Sequence, residues 1–320
     1  MSDAAVIQGL RQQLKSVIVG QTALLDRLIV ALVGGGHVLL EGPPGLAKTT
    51  AVHALASAVS ASFQRVQFTP DLLPGDLLGT PVYHPDERRF AVRKGPVFAP
   101  VLLADEINRA PPKVQSALLE AMAEHQITVG GHTRRLPELF MVLATQNPLE
   151  QSGTYPLPEA QLDRFLFHVV LDYPSVEEEI EIARRARRAT EGHVEEAVRG
   201  VIAPAEILAF RRRIQDVYVE PTVERYAVEL VAATRDPGRH RPEWRGRILA
   251  GASPRGSIAL LRAAMARAWL AGRDYVLPDD VMALAPDVLR HRLVLDFGAE
   301  AEGITAEAIV QGLLEAVPAP

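Results

Sequence analysis

Residues 42–49 read GPPGLAKT, set just after the apolar run His37–Leu40 and just before the helix-forming stretch Thr49–Ser60. A strand that turns through glycine and proline directly into a helix opens a βαβ unit, so this loop commits the chain around it to a parallel sheet with helices on its faces. Further strands are legible nearby: Val101–Ala104, Phe140–Thr145 and Phe167–Leu171 are short apolar runs, and Gln64–Phe68 alternates polar and apolar residues. The reading for residues 20 to about 174 is α/β, a doubly wound parallel sheet of five strands.

Helices fill the intervals. Val114, Ala117, Leu118, Ala121 and Met122 recur at the spacing of one helix face, introduced by Pro111 and Pro112. Two segments read as hairpins: Pro81–Val92, turning near His84 to Glu87, and Ile127–Leu136 around Gly130 and Gly131. Past Pro174 the chain becomes charged and helix-forming, with EEEIEIARRARRA over residues 177–189 and a polar link near Glu191 and Gly192. Ala205–Val217, Val223–Thr234, Arg255–Leu270, Asp279–Arg290 and Thr305–Ala316 then read as helices of a separate all-α domain. The boundary is placed between residues 192 and 193, and a chain of 320 residues suits two domains of about 100 to 150 residues or more.

The loop carries the first chemistry. Gly42 and Gly45 let the backbone approach phosphates, and the turn through Pro43 and Pro44 leads to the amides of Leu46 and Ala47 and of the helix start through Thr50, which supply donors. Lys48 adds a point charge at the β and γ phosphates, and the Thr49 hydroxyl is placed for a magnesium ion. The usual glycine before the lysine is Ala47, where a helical φ would accommodate the methyl group. The run VLLADE then ends a buried strand in two adjacent carboxylates, where a sheet of this type puts its ligand. Asp105 reads as the magnesium carboxylate, acting through the ion's water shell, and Glu106 as the group that orients and polarises an attacking water. Asn147, after the strand FMVLATQ, and Arg164, in QLDRF, are commonplace as a turn former and a solvated side chain; they gain meaning only as parts of this assembly.

Composition narrows what the site serves. With no cysteine, disulfide frameworks, thiolate metal sites and cysteine nucleophiles are excluded, and the chain suits a reducing compartment, with the cytoplasm the simplest reading. The amino terminus lacks a secretory pattern, and the apolar runs fall far short of the roughly 20 residues of a membrane span. The nine histidines form no metal-binding helix pair. Arg184, Arg185, Arg187 and Arg188 read as a solvated face paired with Glu177–Glu181, and Trp244 and Trp269 read as packing residues.

Five blocks resemble the MoxR family of AAA+ ATPases: GPPGLAKTT, TPDLLPGDLLGT, GPVFAPVLLADEINRAPPKVQSALLEAM, VLATQNPLEQSGTYPLPEAQLDRF and GASPRGSIALLRAA, spread over residues 42–264. Ala47 is usual in that family. The resemblance implies an αβα P-loop core followed by a smaller helical lid, an insertion at residues 70–96, a hairpin at 127–136 before sensor 1, both facing a ring pore or partner, and Ile18–Gln21 beside the adenine. It implies roles for Asn147 as sensor 1, Arg255 as the sensor 2 arginine and Arg164 as a finger reaching a neighbouring subunit's nucleotide, with Arg109 a rival for the last. It further implies ATP and Mg2+ as ligands, a homo-oligomeric, six-membered ring, a protein client, and a partner carrying a von Willebrand factor A domain. ATP over GTP rests on the resemblance and not on spacing.

The favoured expectation is an ATP-hydrolysing chaperone or maturation factor. A chelatase-type motor subunit would share the ATP site. A net charge of -5 and 5% aromatic residues argue against a nucleic-acid motor, since they provide neither a basic stripe nor stacking platforms. The full set of Glu106, Asp105, Asn147 and Arg164 argues against a switch that binds ATP without hydrolysing it.

Overall fold

The computed structural model describes residues 3–43, 45–86, 88–147, 153–190, 198 and 200–320. They fall into two compact units, residues 1–157 with 169–208, and residues 158–168 with 209–320.

The first unit opens with helices α1 (Asp3–Val17) and α2 (Thr22–Gly34), then strand β1 (Val38–Glu41) and helix α3 (Lys48–Ala58). Strand β2 (Phe63–Gln67), helix α4 (Pro74–Leu78) and the antiparallel hairpin β3 (Gly79–His84) and β4 (Arg89–Lys94) follow. Strand β5 (Val101–Asp105), helix α5 (Pro112–Glu124), the hairpin β6 (Gln126–Val129) and β7 (His132–Arg135), and strand β8 (Met141–Gln146) come next. After helix α6 (Glu159–Leu162) and strand β9 (Phe167–Val170), helix α7 (Val176–Thr190) closes the αβ pattern.

Among the described residues the main sheet has five strands in the order β2-β5-β8-β1-β9. The pairs β2 with β5, β5 with β8 and β8 with β1 run parallel. Each expected strand is present within one residue of its sequence bounds. Central strands buried on both faces need continuous apolar sequence, which is why Val101–Leu103 and Met141–Leu143 are fully buried. Leu28, Ile29 and Leu32 of α2 and Leu118 of α5 are inaccessible as well, each such side chain contributing about 1.5–3 kcal/mol. Edge strand β2 shows Arg65 and Gln67 to solvent, the source of its alternation.

The second unit is mainly helical: α8 (Pro204–Ile214) leads into it, followed by α9 (Pro221–Ala233), α10 (Pro254–Leu270), α11 (Pro278–Leu289), α12 (Phe297–Ala301) and α13 (Ala306–Ala316). A two-stranded antiparallel sheet of β10 (Ile248–Ala250) and β11 (Val294–Leu295), absent from the sequence reading, ties the start of α10 to the end of α11. Trp269 packs on Phe210 with ring centroids 4.8 Å apart, and Trp244 lies under the Arg241 guanidinium. Arg185 pairs with Glu181 at 3.1 Å, in line with the expected solvated face, but also donates to the Ser16 carbonyl.

The units divide at Leu208 and Ala209, later in the chain than the 192/193 boundary, whose flanking residues 191–197 lie outside the described set. The reason is visible in the backbone: the amides of Val201 and Ile202 both donate to the Ala58 carbonyl, so this strip stays with the first unit. Residues 158–168, with Arg164, group with the second. Among the described residues, no helix is long and apolar enough to cross a membrane.

Candidate functional site

Strands β1, β5 and β8 lie side by side and parallel, so the loops leaving their carboxyl ends gather along one edge of the sheet. There, residues 45–50, Asp105, Glu106 and Thr145–Asn147 line one cavity of about 350 Å³. The structure thus brings together the described part of the phosphate loop, the carboxylate pair and Asn147. Pro44 lies outside the described residues, as do residues 148–152 that follow Asn147.

The two loop glycines act for different reasons. A Cβ on Gly42 would stand 2.8 Å from the Leu171 carbonyl oxygen and 3.0 Å from its Cβ, so that position is kept small by the chain leaving β9. Gly45 has nothing within 4 Å of such a Cβ, but its φ of +88° suits only glycine. Ala47 corrects the sequence expectation. It is left-handed, at φ 53° and ψ 24°, directly before α3, so its methyl group is held in a conformation that costs an L-residue about 1–2 kcal/mol. Glycine is common at this place in such loops for the same reason.

Lys48, the first residue of α3, donates from Nζ to the Gly42 carbonyl at 2.7 Å, which folds its amine back over the loop. Burial lowers its pKa below the ordinary lysine value, against the opposing pull of Asp105, Glu106 and Glu41. Thr49 is half-buried on the cavity wall.

Asp105 ends β5 and Glu106 follows in the left-handed region, at φ 57° and ψ 51°, a turn that swings its side chain out of the strand's alternation. Thr145 on β8 binds both: its hydroxyl donates to Asp105 Oδ1 at 2.6 Å and accepts from the Glu106 amide at 2.9 Å. From the other side come two residues to which the sequence reading gave no role. Arg65 donates to Asp105 Oδ2 from Nε at 2.9 Å and from Nη2 at 2.6 Å, and Gln67 donates to Glu106 Oε2. Nη2 of Arg65 also donates to Gln67 Oε1 at 3.1 Å. A signal for them existed. Arg65 and Gln67 are two apart on a strand, hence on one face, and β2 pairs in register with the strand that ends in Asp105. Arg109, in the 3-10 turn Ile107–Arg109, lies 3.2 Å from Glu106 Oε2.

Arg164 and Arg255 belong to the second unit. Arg164 follows α6 and is half-buried; Arg255 sits in the first turn of α10 and is exposed. One carboxylate relates them: Asp163, beside Arg164 in the chain, accepts from Arg292 Nε at 2.8 Å and from Ser253 Oγ at 3.0 Å, with Arg255 Nη1 4.0 Å away. Ser253 is itself the N-cap of α10, accepting from the Arg255 amide.

The two hairpins of the first unit come close to one another around a separate cavity of about 540 Å³, lined by Pro81, Phe90, Val92, Gly130, His132 and Arg134 among others. Phe90 is 71% exposed and its ring lies 5.1 Å from that of Tyr83.

Comparison with known proteins agrees with this geometry. Residues 37–167 match the ATPase family associated with various cellular activities (AAA), and residues 245–313 match the AAA lid domain. The chain is 46% identical to the chaperone MoxR1 of Mycobacterium tuberculosis, over 96% of this chain and 81% of that one. It is 47% identical to the uncharacterized protein YeaC of Bacillus subtilis, over 97% and 93%. A crystal structure from Cytophaga hutchinsonii superposes with a TM-score of 0.91 at 45% identity, covering 99% of this chain and 96% of the other.

Proposed function

The chain belongs to the MoxR family of AAA+ ATPases, and from that premise we propose that it works as a ring-forming, magnesium-dependent ATPase that remodels a protein client. The observation that carries the reading is the convergence of the phosphate loop, Asp105 with Glu106, and Asn147 on one cavity.

The donor set fits a magnesium ion: the Thr49 hydroxyl and the Asp105 carboxylate are hard oxygen ligands facing the same cavity, with no soft ligand among them. When bound, the ion neutralises charge on the β and γ phosphates. The remaining roles fall to the chain. Residues 42–50 wrap the phosphates, and Lys48 leaves the Gly42 carbonyl to meet them. Glu106 orients the attacking water and draws on its proton, and Asn147 holds that water or the γ-phosphate. Arg255 acts as the sensor arginine, and Arg164 completes a neighbouring subunit's site, with Arg109 as the alternative finger.

Support for a client comes from the description of one relative, MoxR1, as a chaperone and from the paired hairpins, whose exposed Phe90 and Tyr83 beside Arg134 offer an apolar and cationic surface. A six-membered ring and a von Willebrand factor A domain partner complete the proposal and rest on the family resemblance, and a cytoplasmic location rests on the cysteine-free composition.

The test is ATP turnover per subunit as protein concentration rises, for the wild type and Arg164→Ala. Shared sites make specific activity climb with concentration. The variant then loses about 10³- to 10⁵-fold in turnover while still binding ATP. Turnover that is independent of concentration and insensitive to Arg164 removes the shared-site reading.

A further inference from the structure

Asp105 has little acceptor capacity to spare. Each carboxylate oxygen offers two lone pairs. On Oδ2 both are taken, by Nε and Nη2 of Arg65 at 2.9 and 2.6 Å, and on Oδ1 one is taken by the Thr145 hydroxyl at 2.6 Å. A metal-bound water seeking Oδ2 must therefore compete with the Arg65 guanidinium, and a divalent ion beside it would also face its positive charge.

The two sides of the pair differ in mobility. Asp105 is fixed at the end of a buried strand, held by Thr145 and only 14% exposed, whereas the Arg65 side chain stands on edge strand β2 at 49% exposure. Parting from Asp105 costs Arg65 little, because water solvates the released guanidinium and half-exposed ion pairs contribute only modestly. The carboxylate has no comparable freedom.

We infer that Arg65 is a resident counter-cation of the magnesium carboxylate, occupying Asp105 Oδ2 until the metal and nucleotide displace it, and so setting how tightly the metal is held. This rests on the magnesium reading above. Arg65 is a positioning residue in this account, since it acts through Asp105 and leaves when the site fills.

The experiment is a titration of Mn2+ into ADP-loaded protein, followed by the electron paramagnetic resonance signal of free Mn2+, which reports binding without turnover. Arg65→Gln removes the competing cation and is expected to tighten Mn2+ binding roughly fivefold. Arg65→Lys keeps the charge but loses the two-nitrogen grip, and is expected to tighten it by less. Arg109→Gln removes a nearby positive charge paired with Glu106 at 3.2 Å, so it separates displacement at Asp105 from a general field effect. Equal thermal midpoints for the variants and the wild type guard against misfolding.

Weaker or unchanged Mn2+ binding in Arg65→Gln overturns the inference, because it would mean that Arg65 holds Asp105 ready for the metal or does nothing to it. An equal gain in Arg109→Gln overturns it also, reducing the effect to local charge. Protein that binds ADP but takes up no Mn2+ in any form overturns the magnesium reading, and this inference with it; failure in the Arg65 variants alone leaves that reading standing.

Discussion

Each unit holds an aspartate gripped by arginine, and the two pairs are built for opposite purposes. Asp105 in the first unit meets one arginine that is 49% exposed, at the edge of a cavity. Asp280 in the second has 0% side-chain exposure, takes a fork from Arg273 at 2.7 Å on both oxygens, a further bond from Arg267, and the Leu277 amide at 2.9 Å. Burial would raise the Asp280 pKa, yet these partners bring it below the usual aspartate value. An ion pair open to water can be exchanged for another cation; an aspartate with no side-chain exposure cannot give up its arginines, because its carboxylate would be left as a buried charge.

Backbone strain follows the same division. The left-handed residues other than glycine among those described, Ala47, Ser60, Arg88, Glu106 and His125, all lie in the first unit, and two of them line the cavity. The second unit uses glycine wherever it needs a positive φ, at Gly246, Gly272 and Gly303. The unit that carries the glycine-rich loop and the acidic pair stores strain beside the cavity, and the other takes its positive φ at glycine.

The largest expected effect sets Asp280 against Asp105. Asp280→Asn should cost about 3–5 kcal/mol in denaturant unfolding, since two arginines lose their buried counter-charge. Asp105→Asn should change stability by no more than about 1 kcal/mol while abolishing metal-dependent turnover. Equal losses in the two variants would erase the distinction.

Acid provides a second probe. Burial, then Arg292 and His168, hold the His291 pKa well below the ordinary 6.5, partly offset by its bond to the Phe165 carbonyl. Its neutral form is the folded form, so the stability linked to it is intact above the unfolded-state value and is lost as pH falls below about 6.5 toward the lowered pKa. Thermal midpoints of the wild type should fall more steeply over that range than those of His291→Gln.

Relief of strain ranks next. Ala47→Gly should raise stability by about 1 kcal/mol or less, the gain in backbone conformation being partly cancelled by the greater freedom of glycine in the unfolded chain. A loss would mean that the methyl group packs usefully. The smallest effect concerns Lys48. Its lowered pKa should be pushed back up by a bound phosphate, so nucleotide binding takes up protons at alkaline pH and affinity falls as pH rises sooner than an ordinary lysine would require. Calorimetry in buffers of different ionisation enthalpy measures that uptake.

Much of the site was legible because its parts are local. GPPGLAKT and the paired acids of VLLADE carry their chemistry in adjacent residues, and each follows a strand recognisable by its apolar run. The conformation of Ala47 was not legible, since a methyl group at that position says nothing about φ. Arg65 and Gln67 escaped notice for a different reason: as strand residues they look like the solvated face of an edge, and only the register of β2 against β5 brings them to Asp105 and Glu106. Asp163 was hidden likewise, its partners Ser253 and Arg292 lying far along the chain.

By itself the sequence determined the parallel sheet and the succession of its strands along the chain, and it singled out the loop and the acidic pair on which the proposed site rests, because hydrophobic period and short motifs act over a few residues. Only the tertiary structure decided which side chains hold those acids, which residues join each unit, and which arginine pair is open to exchange. Those depend on strand register and on access to water, and neither is a property of any short stretch of chain.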